Sequence, residues 1–479
     1  MNITQLADLI STSVSSLASI CALKNLHLPH LHDSLYLPES DSFRSDPVAS
    51  KYANIIAAAA FELAATLMPP QETVFQIASG HLKSAALRVA IGCHVPEILR
   101  GAGSKGLHTD LIAEKTGVDG MKLARLLRYL ANRHIFQEMS PDVFANNRIS
   151  GVLDTGKCVE DLCANHETKY DGTSGFVALV EHFTSEGHKA SSYLLENMTD
   201  PTTCHSHDIT HAPLQRALPG IANKTYWNWL SLPEQTYERR RFGIAMSGVT
   251  EMEPKGLVVT AFNWASLPYD SIVIDVGGGI GDTLMQVLKA FSHLRVVVQD
   301  LPGTAMEAKK VWEREFPEAI ASGRAQIQAH DFFTAQSTQT PPSVFILRMI
   351  LHDWPNESSL KILRHLRAAS GATTKLLILD HVIPYTCKGA IDLSSDSQQP
   401  IGNQNVEDEA LAVPGLALPR LGAANEMCYS VDIAMMMWLN SQERTIEQFR
   451  QLLFSSGWRV EHVTKGGGSS MDCIQAIPI

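Results

Sequence analysis

The chain has 479 residues, with 39 Lys and Arg against 50 Asp and Glu and a formal net charge of -11 with His neutral. That balance excludes a general attraction to nucleic acid or anionic lipid, because phosphate-binding surfaces carry clustered positive charge. Hydrophobic residues at 45% and charged residues at 19% describe a globular chain long enough for two or three packed units.

The first segment, 1–70, contains two predicted helices, about 4–25 and 50–67, separated by a polar stretch that Pro29, Pro38 and Pro47 break. No basic residue precedes Lys24, so the N-terminus does not read as a signal peptide. The most apolar stretch, Ile55 to Met68, contains Glu62 and is too short for a membrane span. No membrane association is expected.

The second segment, 71–155, reads as three short helices and a hairpin. AALRVAIGCHVPEIL is expected as one helix, and HTDLIAEKTG as another with Thr109 as its N-cap. DGMKLARLLRYLANRHI is the third, with Leu123, Leu126, Leu127 and Leu130 in helical spacing. FQEMSPDVFANN alternates about Ser140 and Pro141 like a small wing. That order is a winged-helix signature. Lys122, Arg125, Arg128 and Arg133 keep DNA binding open, but a packing or dimerisation module with a solvated charged face suits an acidic chain better.

The third segment, 156–479, begins with a helical region, 165–240, ending in ERRRF, whose arginines read as surface charge. From Ser271 onward, SIVIDV, LRVVVQ, FILRMIL and KLLILDHVI are short, nearly continuous apolar runs separated by helical patterns. A doubly wound parallel sheet covered on both faces reads this way. The stretch 386–430 lacks periodicity, exceeds an ordinary connection, and is expected to be a mobile insertion.

Candidate chemistry gathers at the ends of those strands. Gly277, Gly279 and Gly281 form a GxGxG turn between a strand and a helix opened by Asp282, where backbone can approach a ligand beside a helix N-terminus. A dinucleotide fingerprint needs a glycine where Asp282 stands, which disfavours a nicotinamide oxidoreductase. Asp300, ending the second strand, can accept both hydroxyls of a ribose or cap the following helix. Asp331 with Phe332 suits an adenine, as acceptor and stacking face. His352 ends the fourth strand, in the crevice where open α/β sheets bind ligands. Eight scattered cysteines without CxxC pairs indicate neither a disulfide framework nor a metal site, and a reducing cytoplasm fits best.

IDVGGGIG, QDLP, HDFF, ILRMILHDW, LLILDHVIP and VDIAMMM followed by QERT resemble, in order and spacing, the caffeic acid O-methyltransferase-like, cation-independent enzymes of plants and fungi. The likeness runs from about residue 75 to the end of the chain, and the 386–430 stretch looks more like fungal natural-product members. It implies a Rossmann-like α/β methyltransferase domain, an N-terminal all-α winged-helix dimerisation domain and a homodimer. It also implies S-adenosylmethionine as cofactor and a small, hydroxylated, aromatic or polyketide-type acceptor. Residue by residue, Gly277, Gly279, Asp300, Asp331 and Phe332 match cofactor contacts, and Arg348 stands where the family often has Lys. His352 matches the catalytic base, flanked by Asp380 and Glu443, with Asp380 one carbon shorter than the glutamate common in plant members. Phe242, Met246 and Met435 match acceptor-clamping positions, and Asp353 and Trp354 beside His352 are expected acceptor contacts. Some fungal relatives of this fold keep the cofactor for pericyclic rearrangements, a use these motifs leave open.

A phenol near pKa ~10 and an imidazole near ~6.5 differ by about 3.5 units, an uphill transfer of roughly 5 kcal/mol in water. A carboxylate on the other ring nitrogen reduces that gap.

Overall fold

A computed structural model describes all residues except 34, 254–255, 339, 388–420 and 465–470. The chain packs as two units. The first comprises Met1–Leu194 and Leu214–Met252 with residues 421–424, and the second comprises Leu195–Pro213, the described part of 253–387, and Asn425–Ile479. Helices of 156–194 and 214–252 pack within the first unit.

The first unit opens on two long helices, Ile3–Lys24 and Pro47–Leu67, which bury Leu6 against Ala58 and Ala59. By length and composition Ile3–Lys24 is long and apolar enough to cross a membrane, with mean hydropathy 1.6, which corrects the expectation that no stretch is. Its Ser and Thr residues interrupt the apolar run without adding charge. The winged-helix core closes around Leu99, Ile112, Leu127, Phe136 and Phe144. It is not all-α: β1 (Leu107–His108), β2 (Gln137–Ser140) and β3 (Val143–Ala145) form an antiparallel sheet in the order β1-β3-β2.

Local chemistry changes three expected details here. The single helix expected over AALRVAIGCHVPEIL is two, Gly80–Gly92 and Val95–Ala102, because His94 turns left-handed (φ 53°) ahead of Pro96. The cap before Thr109–Thr116 is His108, whose Nδ1 accepts from Asp110 N, rather than Thr109. Arg241 of ERRRF is buried, not surface charge, and pairs with Glu186 and Glu181. On the third winged-helix helix, Arg128 is matched by Glu138 and Asp142 of the wing.

The second unit is built on a seven-stranded sheet. Its strands are β4 (Ile272–Val276), β5 (Arg295–Asp300), β6 (Ala325–Ala329), β7 (Val344–Arg348), β8 (Lys375–Asp380), β9 (Trp458–Thr464) and β10 (Asp472–Pro478). Their order is β6-β5-β4-β7-β8-β10-β9, with β10 antiparallel to both neighbours and the rest parallel. Alternate residues feed two cores, as the period of two demands. Val273, Val296, Val298 and Ile346 face one with Trp312, and Ile274, Phe345, Leu347 and Ile378 face the other with Trp458. Of the stretch 386–430 expected as an insertion, 388–420 lie outside the described residues, while 422–430 are helical, leading into Glu426–Leu439. All eight cysteines are free thiols.

Candidate active site

Five parallel strands deliver candidate residues at their carboxyl ends. After β4 the chain turns through Gly277, Gly279 and Gly281, all at positive φ, into the helix Asp282–Ala290. A Cβ on Gly277 would stand 2.5 Å from Ile350 Cδ1 and 3.3 Å from Phe332, so the turn lies directly against both. Asp300 closes the turn from the end of β5: its Oδ2 accepts from Gly279 N at 2.9 Å, and its Oδ1 from Leu301 N at 2.8 Å. Burial raises its carboxyl pKa while these hydrogen bonds oppose the rise. Asp331, after β6, is exposed and caps its own turn through Phe333 N. Phe332 and Phe333 meet Trp354 edge to face at 5.9 and 4.6 Å.

Asp275 is a residue the sequence reading passed over, although a carboxylate inside the apolar run IVIDV is a visible signal. It is 1% exposed and neither oxygen has a hydrogen-bond partner among the described residues. Burial pushes it up to about 7, with Arg348 on β7 pulling the other way. A buried carboxylate left without a donor calls for a donor or a cation.

His352 sits in a single 3₁₀ turn, Leu351–Asp353, which follows β7 and Met349 at φ 53°. It is 4% exposed, and both ring nitrogens face carboxylates. Nδ1 lies 2.6 Å from Glu443 Oε1, and Nε2 lies 3.4 Å from Asp353 Oδ1. Burial alone would lower its pKa; Glu443 and Asp353 outweigh that and lift it to about 10. Burial likewise raises Asp353 to about 6 and Asp380, at the end of β8, to about 8. Asp380 is fully buried and its carboxyl oxygens make no hydrogen bond among the described residues, so it acts on His352 only through the charge it carries when ionised. Glu443 is itself placed by its backbone N–H, donated to Asp432 Oδ1 at 2.9 Å.

Met435 is buried in the helix Glu426–Leu439 of the same unit. Phe242 and Met246 belong to the first unit, on the helix Thr236–Met252. There Phe242 meets His182, Tyr226 and Trp227 edge to face at 5.4–5.8 Å, and Met246 lies against the core of Leu179 and Ala245.

The family model of the O-methyltransferase domain matches residues 228–397, and that of the O-methyltransferase dimerisation domain matches 75–155. The chain is 39% identical to 4-O-methyltransferase 1 of Phanerochaete chrysosporium over 99% of its own length and 98% of that protein's. It belongs to the S-adenosylmethionine-dependent O-methyltransferases. Among solved structures, the mitomycin 7-O-methyltransferase MmcR aligns with a TM-score of 0.62 at 23% identity, covering 85% of this chain and 98% of that one. A structure described as a pericyclic reaction enzyme aligns with 0.66 at 18%, covering 91% and 95%. At these identities the likeness is one of fold. S-adenosylmethionine is the cofactor of this O-methyltransferase, and the glycine turn, the Asp300 carboxylate and the donor-less Asp275 beneath the turn fit a cationic nucleoside.

Proposed function

We propose that this O-methyltransferase methylates a phenolic hydroxyl of a small aromatic or polyketide-type acceptor, with His352 as general base. The observation that carries the reading is the imidazole held between Glu443 and Asp353 at a strand end. When bound, the cofactor supplies an electrophilic sulfonium methyl, and no metal is required for that transfer. Gly277, Gly279, Asp300, Asp331 and Phe332 would hold it, with Asp275 and Arg348 balancing charge beneath the turn.

Glu443, accepting from Nδ1, leaves Nε2 as the nitrogen that takes the acceptor's proton. A base lifted to about 10 matches a phenol near ~10, so the uphill gap of roughly 5 kcal/mol present in water disappears. Asp353, beside Nε2, is suited to a second hydroxyl of the acceptor, and Trp354 and Met435 to its ring. A carboxylate-paired imidazole is suited to taking a hydroxyl proton, which supports the methylation reading.

The match to a dimerisation domain and the exposed apolar residues of the helix Pro70–Ala78 support a homodimer. Eight free thiols suit a reducing cytoplasm. The deciding experiment incubates the enzyme with methyl-labelled S-adenosylmethionine and a panel of phenols and matched carboxylic acids, then follows the label by mass spectrometry. Label on phenolic oxygen, falling by ~10² to 10⁴ in His352→Gln with cofactor affinity kept, is expected. Transfer only to carboxylates, or undiminished turnover in His352→Gln, would overturn the base and the acceptor class together.

A further inference from the structure

Arg444 has no task in the reading above, yet it is among the largest fully buried side chains of the protein, at 1% exposure. Its Nη1 donates to Leu351 O at 2.6 Å and its Nη2 to Trp354 O at 2.8 Å. Nε and Nη2 both reach Asn356 Oδ1, at 3.1 and 3.0 Å, and Nη2 also approaches Ser359 Oγ at 3.3 Å. Leu351 and Trp354 bracket His352 in the chain, so one planar fork grips the turn on both sides of the imidazole. The residue before Arg444 is Glu443, which grips the imidazole itself. The Arg444 carbonyl accepts from Ile383 N at 3.0 Å, tying the same dipeptide to the segment that follows Asp380.

The acceptors of these hydrogen bonds are carbonyls, an amide and a hydroxyl, with no carboxylate among them. The guanidinium charge therefore acts on the acidic groups around it, Asp380 and Glu443, without being spent in a direct ion pair. A buried arginine kept only for packing is often replaceable by an apolar side chain of similar volume. A bidentate fork aimed at two carbonyls is not, because a lysine or methionine cannot reproduce it.

We propose that Arg444 is a positioning residue for the His352–Glu443 pair, a role that rests on the base reading above. Its fork fixes the turn carrying the imidazole against the carboxylate on the neighbouring residue. The charged and titratable groups facing His352 are Asp353 on its own turn, Asp380 at the end of β8 with His381 next to it, and Glu443, whose backbone N–H donates to Asp432.

The test compares Arg444→Lys, Arg444→Met and Asn356→Ala in the full-length protein, with His352→Gln as reference. Three quantities are read: cofactor affinity by calorimetry, turnover against pH with the best phenol of the labelled-methyl panel, and the downfield Nδ1–H proton resonance of His352. The resonance is absent from His352→Gln and needs no acceptor. All variants should bind S-adenosylmethionine within about threefold, because the glycine turn is untouched. Arg444→Lys should lose about tenfold in turnover with its pH profile in place. Arg444→Met should lose ~10², the usual effect of a misplaced catalytic group. Its resonance should move, and its profile should shift to lower pH, since an imidazole displaced from Glu443 loses the contact that favours the imidazolium. Asn356→Ala should lose a few-fold with no pH shift.

An Arg444→Met protein with wild-type resonance and turnover overturns the proposal. So does one whose turnover falls only in step with its folded fraction while the pH profile stays put. If Arg444→Met does not fold, unchanged resonance and turnover in Arg444→Lys and Asn356→Ala overturn it instead. A fully active His352→Gln would sink the base reading, whereas an inactive His352→Gln beside active Arg444 variants sinks the positioning role alone.

Discussion

Glu443 and Asp380 stand differently towards His352. Glu443 receives the ring N–H at 2.6 Å, while the Asp380 carboxyl makes no hydrogen bond among the described residues and adds only the field of its ionised form. Glu443→Gln, which replaces an anionic acceptor by a neutral amide, should lower kcat by ~10², the lower end of general-base effects. Asp380→Asn should lower it by less than about tenfold, and steady-state kinetics on the two variants reads the ranking directly; equal losses would mean the carboxylates are interchangeable. The same residues set the pH dependence. The imidazole must be neutral to take a proton, and carboxylates that outweigh burial hold it charged up to about 10. Turnover should therefore climb between pH 7 and 10 instead of levelling above 6.5, and a rate already flat at pH 7 would show that His352 is not lifted in the working complex.

Among elements, the strand–turn–helix at 272–290 carries the tightest geometric demand. Gly281 is at φ 83°, and a Cβ there would lie 2.4 Å from Trp312 Nε1 and 2.8 Å from Val298 Cγ2. Gly281→Ala combines a disfavoured backbone with overpacking, so it should destabilise by about 2–4 kcal/mol; a thermal melt unchanged within a degree or two would refute that reading of the turn. This element was legible in the sequence because parallel strands buried on both faces read as continuous apolar runs, and glycines punctuate their ends. The break at His94 was not legible, since apolar residues keep helical phase on both sides of it. The His108 cap was missed by one position because imidazole seldom caps, and Thr109 is the conventional choice. Asp275 could have been found as a charge inside an apolar run. Arg444 could not, because its partners lie up to 93 positions upstream and only the fold brings them together.

At the scale of the whole molecule, the helix Pro70–Ala78 buries none of its residues, and Phe75 and Ile77 are 72% and 76% exposed. Apolar surface of that kind marks an association face. Phe75→Asp with Ile77→Asp should halve the mass seen by light scattering, and a wild-type chain that is already monomeric at micromolar concentration would remove the face from consideration. Within the second unit, the cofactor turn and the histidine turn meet at Ile350, which touches Gly277 two residues before His352, while Phe332 spans from that glycine to Trp354. Two ligands that press on opposite sides of the same side chains are thermodynamically linked, and linkage is reciprocal. Whatever factor the demethylated cofactor adds to acceptor affinity, the acceptor must return to cofactor affinity. Calorimetric titrations in both orders should give one shared factor of roughly five or more. A factor of one would mean that Ile350 separates two independent sites. A factor well above one would make loading sequential, with the nucleoside bound first and released last, so that spent cofactor itself becomes the enzyme's inhibitor.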